Sequence, residues 1–290
     1  MTVGITRKAS VYLVAETHMR RNEMQQFLND IGAKDWKTDA RCDASELIEV
    51  AGRLCYKSFG TELNPNLTKV REGNAEYLGN VRRQKHGSVF EHAYVSVIFR
   101  DVSRILTHEL VRHRLANVSQ ESQRFVRLDN FSVYIPELTP ALETLYEDNN
   151  PTGTKEARDL WVQEAQADYA DTLKQVAEEA QHQLTLLVNE WGMDKEGVSF
   201  HTKKQLTSAL RRFVPGGVNT NIMLTGNHRN WRHIIEQRTS PGAEQEIVEA
   251  YMQVARRFIT EYPEIYADIM CKQHEDNPNL FHYSFKHQKI

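Results

Sequence analysis

Apolar and polar residues alternate along three short segments of the chain, and this alternation predicts β-strands. Residues 8–15 and 92–100 place β-branched or aromatic side chains at every second position, which is typical of a half-buried strand. A third strand is predicted at 131–135, where Pro136 ends the run.

Elsewhere the apolar residues recur every three to four positions, which predicts helices with one buried face. The longest of these segments carries Trp161, Tyr169 and Leu173 in register, and these side chains are expected in the core. The predicted helices cover residues 18–31, 44–56, 73–85, 102–115, 156–190, 202–212, 226–237 and 243–262.

The boundaries of these elements follow from turn and capping residues. Asp101 is expected to cap the helix that begins at residue 102. The polar interval 140–155 contains Asn149-Asn150-Pro151 and is expected to be an exposed loop, and a loop or tail is expected from Gln273 onward. Helices and strands do not alternate strictly, so the pattern predicts an α+β fold with a mixed sheet flanked by long helices.

The composition excludes several classes of function. A chain of 290 residues, 40% hydrophobic and 26% charged, can bury a sizeable core as an ordinary globular protein. The net charge of −3 gives no global attraction to nucleic acid or to an anionic membrane, so neither is expected as a partner. The three cysteines Cys42, Cys55 and Cys271 are too scattered for a disulfide framework or a zinc site. With no apolar run of membrane-spanning length, a cytoplasmic protein is expected.

The most informative segment runs from residue 107 to 125. On a helix ending near Leu115, Arg104, His108 and Arg112 lie four residues apart and form one cationic stripe. One interpretation is that these cations complement a helix C-terminus at the surface.

The residues that follow favour a nucleotide site instead. They are almost all hydrogen-bonding side chains: Ser119, Gln120, Ser122, Gln123 and Arg124. Arginine forks match phosphate oxygens, and amide and hydroxyl groups suit the edge of a pyrimidine.

The sequence disfavours two other classes of protein. A metal hydrolase would need two histidines four residues apart, but His108 and His113 are five apart and diverge around the helix, so no metal is expected. A non-catalytic RNA- or nucleotide-binding module is disfavoured by the acidic net charge and the lack of a basic, aromatic stripe.

Five residues of this segment are spaced in a way that is typical of one enzyme family. Arg112, His113, Arg114, Ser122 and Arg124 together resemble the signature of the flavin-dependent thymidylate synthases. Further segments resemble the family in the same order: AGRLCYKS at 51–58, HGSVFEH at 86–92, and Arg211, Asn227, Arg229 and Arg238 downstream. The resemblance covers residues from about 45 to 260.

The resemblance implies a methyltransferase that converts dUMP to dTMP. It implies FAD as cofactor, with NADPH and 5,10-methylenetetrahydrofolate as co-substrates, in a homotetramer whose FAD sites lie where subunits meet. It also implies one catalytic domain at 41–265, with an N-terminal extension of strand and helix at 1–40 and a C-terminal tail at 266–290.

Site residues are carried over position by position. The resemblance implies that FAD is bound by Ser88, Glu91, Arg112, His113, Arg114, Gln120, Asn227, Arg229 and His233. It implies that dUMP is bound by Glu109, Arg112, Gln120, Glu121, Ser122, Gln123, Arg124, Arg211 and Arg238. Arg238 is the implied catalytic residue, because a permanent cation stabilises a developing anion on the uracil.

The implied reaction could use a nucleophilic side chain of the protein, either a cysteine or a serine. No cysteine stands in a Pro-Cys-His context, so the sequence predicts a reaction without a cysteine nucleophile. Ser122 is an alternative nucleophile, but no His–Asp pair nearby in the sequence would activate it, and a dUMP-positioning role is favoured.

Overall fold

Four antiparallel strands form the central sheet, in the order Ser10–Glu16, Tyr94–Ser103, Asn219–Asn227 and Asn117–Gln120. The computed structural model describes residues 3–60, 63, 65–67, 69–128 and 130–288. The strands are β1 (Gly4–Thr6), β2 (Ser10–Glu16), β3 (Tyr94–Ser103), β4 (Asn117–Gln120), β5 (Ser132–Tyr134), β6 (Asn219–Asn227), β7 (Ile269–Gln273) and β8 (Phe281–Phe285).

Helices surround this sheet, and one of them is 36 residues long. They are α1 (Arg21–Asp30), α2 (Asp43–Tyr56), α3 (Asn74–Arg83), α4 (Arg104–Leu110), α5 (Thr139–Asn149), α6 (Lys155–Glu190), α7 (Phe200–Leu210), α8 (His228–Arg238) and α9 (Gln245–Glu261). Two short 3₁₀ turns cover Gly87–Glu91 and Arg211–Phe213.

The main core lies between the central sheet and helices α8 and α9. Val97 and Phe99 of β3 pair with Leu224 and Ile222 of β6, and all four side chains are buried. Burying each such side chain contributes about 1.5–3 kcal/mol relative to exposure. Tyr251 of α9 covers Phe99, with 5.3 Å between the ring centroids.

Helix α8 is tied to the sheet by a buried tryptophan. Trp231 is fully buried, and its indole N–H donates to the carbonyl of Val95 on β3 at 3.1 Å. Since Arg238 lies two turns further along the same helix, this contact fixes the direction in which Arg238 leaves the core.

Most predicted elements are confirmed, with ends shifted by a few residues. The strands predicted at 8–15, 92–100 and 131–135 are β2, β3 and β5. The helices predicted at 18–31, 44–56, 73–85, 156–190, 202–212, 226–237 and 243–262 are α1, α2, α3, α6, α7, α8 and α9.

The helix predicted at 102–115 with Asp101 as its cap is wrong. Asp101 lies inside β3 at a bulge between Phe99 and Val102, with a positive φ of 58°. The true cap is Ser103, whose hydroxyl accepts from Leu106 N at 3.0 Å, and α4 ends at Leu110. The bulge displaced the start of the helix because it adds residues to the strand.

Two segments predicted as irregular contain regular structure. Helix α5 occupies most of the interval 140–155 that was predicted as a loop. Strand β8 and the end of β7 lie in the region predicted as a loop or tail, where the two strands form an antiparallel hairpin. The hairpin buries Tyr283 and Phe285 against the main core, which fixes it in place.

The predicted α+β class is confirmed in a single domain that contains both parallel and antiparallel pairs. The parallel pair is β1–β5, a separate two-stranded sheet, whereas the central sheet is wholly antiparallel. Strand β2, from the predicted extension 1–40, pairs with β3 inside the central sheet. Within the described ranges, no helix is both long and apolar enough to cross a membrane.

Candidate functional site

Arg238, the last residue of α8, is held by Glu109 near the end of α4 and by His113 in the turn that follows α4. Its Nε donates to His113 Nε2 at 2.8 Å, Nη1 donates to Glu109 Oε2 at 2.6 Å, and Nη2 donates to the Glu109 carbonyl at 2.7 Å. The Arg238 side chain is only 12% exposed, against 39% for Glu109. Three predicted site residues are therefore brought together.

His113 Nε2 accepts a hydrogen bond from Arg238 Nε, so His113 is the neutral imidazole, with its own proton on Nδ1. Burial lowers the pKa of His113 to about 4, and the nearby charges of Arg238 and His233 lower it further. A neutral His113 at physiological pH is what allows a permanent cation to sit beside it.

The cationic stripe predicted on one helix is divided in the structure. Because α4 ends at Leu110, Arg112 and Arg114 lie on the turn that follows it, where both are exposed. Among the described residues neither makes an ion pair, so both guanidinium groups are available to an anion.

Arg104 was not among the predicted site residues, yet it lies close to one of them. Burial lowers the pKa of Arg104, and the charge of Arg211 lowers it further. Two arginines that repel each other in this way form a locally positive site that an anion would stabilise. The stripe from Arg104 to Arg112 was the signal in the sequence, but it did not indicate the approach of Arg211.

The residues at and after the end of β4 are held by α4 and β6, not by Arg238. Gln120 Nε2 donates to Thr107 Oγ1 of α4 at 2.7 Å. The Glu121 carboxylate accepts from the backbone N and side-chain amide of Asn221 at 2.9 and 2.7 Å. Glu121 is thus used to fix the segment, and no hydrogen bond in the described part of the chain joins it to Arg238.

Ser122 begins a turn that contains Gln123 and Arg124. Its Oγ accepts from Arg124 N at 3.3 Å, and its carbonyl accepts from Phe125 N at 3.0 Å. Glu121 and Gln123 line an open pocket of about 330 Å³ beside β6, and neither Arg238 nor His113 lines it. In a single chain, this part of the predicted dUMP site is therefore separate from the Arg238 cluster.

A second group of predicted residues surrounds the start of α8. Asn227 is the buried N-cap of the helix, and its Oδ1 accepts from Asn230 N at 2.9 Å. Arg229 pairs with Glu91 at 2.5 Å, beside the exposed Ser88 in the same 3₁₀ turn as Glu91. His233 lies one turn beyond Arg229 and is exposed.

Helix α8 connects the two groups, since it carries Asn227 at its cap, Arg229 and His233 along its length, and Arg238 at its end. The described residues contain no group of three or more His, Cys, Asp or Glu side chains arranged to hold a metal ion.

Comparison with known proteins decides the family. Residues 38–264 match the model of the family described as thymidylate synthase complementing protein. A flavin-dependent thymidylate synthase of Mycobacterium sp. strain JLS is 35% identical over 236 residues, 80% of this chain and 82% of that protein. The chain belongs to the flavin-dependent thymidylate synthase family.

Other members of the flavin-dependent thymidylate synthase family are similar over the same extent. The protein of Mycolicibacterium gilvum is 33% identical over 237 residues, 81% of this chain and 82% of the relative. That of Corynebacterium glutamicum is 31% identical over 248 residues, 85% and 87% of the two chains. The family predicted from the sequence signature is confirmed, and the chain is an enzyme of that family.

Proposed function

We propose that this enzyme catalyses the reductive methylation of dUMP to dTMP, with 5,10-methylenetetrahydrofolate as carbon donor and NADPH-reduced FAD as hydride donor. The observation that carries the proposal is the Arg238 guanidinium, held by Glu109 and by His113, which the exposed Arg112 and Arg114 flank in the chain. The relatives' names supply the reaction class.

The residues around α8 fit an anionic dinucleotide such as FAD. Arg112 and Arg114 offer exposed guanidinium groups for its phosphates, and Ser88 offers a hydroxyl. FAD when bound supplies the hydride chemistry, and the protein contributes binding, alignment and electrostatics. We assign FAD binding to Ser88, Glu91, Arg112, His113, Arg114, Gln120, Asn227, Arg229 and His233.

Arg238 is suited to stabilise negative charge on the uracil. A guanidinium has five N–H donors, and three are used by Glu109 and His113, which leaves two for a ligand. Arginine does not lose its proton in proteins, and its charge acts more strongly in a site from which water is largely excluded. Arg238 therefore stays a cation while charge develops beside it.

The phosphate of dUMP would be bound by arginines. Arg211 and Arg104 repel each other, so a phosphate between them relieves an unfavourable interaction. We assign the remaining dUMP contacts to Glu109, Arg112, Gln120, Glu121, Ser122, Gln123, Arg124 and Arg238. Holding the reactants in the correct orientation contributes on the order of 7–11 kcal/mol to such reactions.

The proposed reaction has no cysteine nucleophile. Cys42 lies before α2, with Ser45 Oγ 3.5 Å from its sulfur, whereas Cys55 and Cys271 are exposed. No described contact places any of the three beside Arg238.

A homotetramer in the cytoplasm is the proposed working form. Ser88, Arg112 and Arg114 are exposed in the single chain, although all three are assigned to the same cofactor. A site shared between subunits would cover them. All three cysteines are free, which is usual in a reducing compartment.

The test of the proposed function is the purified enzyme itself. It should be yellow, or become yellow with added FAD, and its flavin absorption should bleach with NADPH. Supplied with dUMP and 5,10-methylenetetrahydrofolate, it should release dTMP. A colourless protein that does not bind FAD and still binds nucleotides would favour the binding-module alternative and contradict the synthase.

Replacing Ser122 by alanine should slow dTMP formation without abolishing it. Within the described chain, the side-chain hydrogen bond of Ser122 runs to Arg124 N, and no base contacts its oxygen. Ser122 would therefore position dUMP, and its loss should remove about one hydrogen bond, about 0.5–1.5 kcal/mol. The measurement is kcat/KM for dUMP. Complete loss of turnover with normal folding and FAD binding would contradict a role limited to positioning dUMP.

A further inference from the structure

Glu246, in the first turn of α9, points its carboxylate at the beginning of α4. Ser103 N donates to Glu246 Oε1 at 2.6 Å, and the Ser103 hydroxyl donates to Oε2. Glu246 is only 3% exposed. Both carboxylate oxygens are thus engaged by Ser103, the last residue of β3.

Ser103 is the residue that starts α4. While it donates to Glu246, its Oγ accepts from Leu106 N at 3.0 Å and caps the helix. At the other end of α4, Glu109 accepts two hydrogen bonds from Arg238. Arg238 at the end of α8 and Glu246 at the start of α9 therefore hold α4 at its two ends.

Such a carboxylate is unfavourable to bury. Burial raises the pKa of Glu246 to about 7, although the hydrogen bonds from Ser103 lower it. A buried ionisable group is usually no more stabilising than an apolar side chain of the same size. The position of Glu246 is therefore better explained by the geometry that it imposes than by stability alone.

The neighbouring acidic residues Glu244 and Glu249 have other hydrogen-bond partners. Glu244 is the N-cap of α9 and accepts from Ile247 N at 3.3 Å. Glu249 accepts from Tyr134 Oη at 3.3 Å and from Gln245 Nε2 at 2.8 Å. In the described structure, neither forms a hydrogen bond or ion pair with α4.

We propose that Glu246 is a positioning residue for the dUMP site. By binding Ser103, Glu246 fixes the position of α4 relative to α8 and α9. Glu109 and His113 then contact the Arg238 guanidinium in the geometry that binds the uracil. This inference rests on the proposed function.

The first test compares Glu246→Asp, Glu246→Ala and Glu246→Gln, with Glu249→Gln as the matched control. Aspartate is too short to engage Ser103 as glutamate does, and alanine leaves Ser103 N–H without an acceptor. For both we expect kcat/KM for dUMP to fall about 10- to 100-fold, mainly through KM, with FAD absorption retained. Glutamine retains the acceptor for Ser103 N–H and should recover most of this loss, and Glu249→Gln should resemble wild type.

Glu246→Asp retains a carboxylate in the buried site and therefore serves if the alanine variant does not fold. A folded Glu246→Asp enzyme with the kcat/KM and dUMP affinity of wild type would overturn the inference. An effect of the same size in Glu249→Gln would overturn it as well, since it would be general to α9.

The second test combines Glu246→Asp with Arg238→Ala and measures dUMP dissociation constants by calorimetry. If Glu246 acts through Arg238, the aspartate change should weaken binding much less in the Arg238→Ala background than in wild type. Fully additive effects would overturn the proposal. A wild-type enzyme that binds dUMP and forms no dTMP would contradict the proposed function instead, and leave this binding cycle interpretable.

Discussion

Replacing Arg238 by alanine is expected to reduce dTMP formation about 100- to 1000-fold, because this removes a cation aligned with charge that develops in the reaction. The variant should still bind FAD, since the cofactor assignment does not include Arg238. It should also fold, because Arg238 lies at the end of α8 and the helix is fixed by the buried Trp231.

A lysine at position 238 distinguishes the contribution of the positive charge from that of the guanidinium hydrogen bonds. Lysine retains the positive charge but cannot donate along the fork that joins His113 and Glu109, so an intermediate loss is expected for Arg238→Lys. The exposed Arg257 of α9 is the matched control, and Arg257→Ala should leave kcat/KM unchanged. The measurement is kcat/KM for dUMP together with flavin absorption. Unchanged turnover in Arg238→Ala would remove Arg238 from the mechanism.

The sequence supplied a set of candidate site residues, but it did not predict how the structure arranges them. The family resemblance placed His113 and Arg238 among the expected site residues, although 125 residues separate them. It did not indicate that Glu109 would bind Arg238 directly, because that contact depends on where α4 ends. The sequence pattern also missed the bulge at Asp101, which displaces the start of α4, because a bulge leaves no periodic signal in the apolar residues.

Strand β6 shows a second limit of sequence patterns. Residues 219–227 alternate buried and half-buried positions at the centre of the sheet, yet their sequence contains Asn219, Asn221 and Asn227 with a glycine at 226. Asparagine and glycine are depleted in strands, so local propensity argues against the element that tertiary pairing forms. The amides are nevertheless used: Asn221 fixes Glu121, and Asn227 caps α8.

The C-terminal hairpin is likewise held by a tertiary contact that the local sequence pattern did not indicate, a buried ion pair. Asp268 accepts two hydrogen bonds from Arg232, at 2.8 and 2.9 Å, and lies 3.8 Å from Arg82 Nε. The side chains of Arg232 and Asp268 are only 2% and 6% exposed. The polar residues around this pair gave no periodic signal, although the contact anchors the start of the hairpin.

Replacing Asp268 by alanine should therefore lower the free energy of unfolding by about 3–5 kcal/mol, since two buried arginines would lose their counter-charge. Exposed Asp276 in the same hairpin is the control, and Asp276→Ala should change stability by less than about 0.5 kcal/mol. Urea unfolding followed by circular dichroism measures both. A loss below about 1 kcal/mol for Asp268→Ala would mean that the arginines find other partners or water.

The same contact predicts a dependence on pH. Burial alone would raise the pKa of Asp268, but hydrogen bonds and charge from Arg232, with the charge of Arg82, hold it below its ordinary value. A carboxyl whose pKa is lower in the folded state stabilises the fold above its unfolded pKa of about 3.9, and this stabilisation is lost as the pH falls through the folded pKa. The stability difference between wild type and Asp268→Ala should therefore be constant near neutral pH and shrink in acid. A difference that does not change down to acid unfolding would mean that packing, and not the charge of Asp268, holds the hairpin.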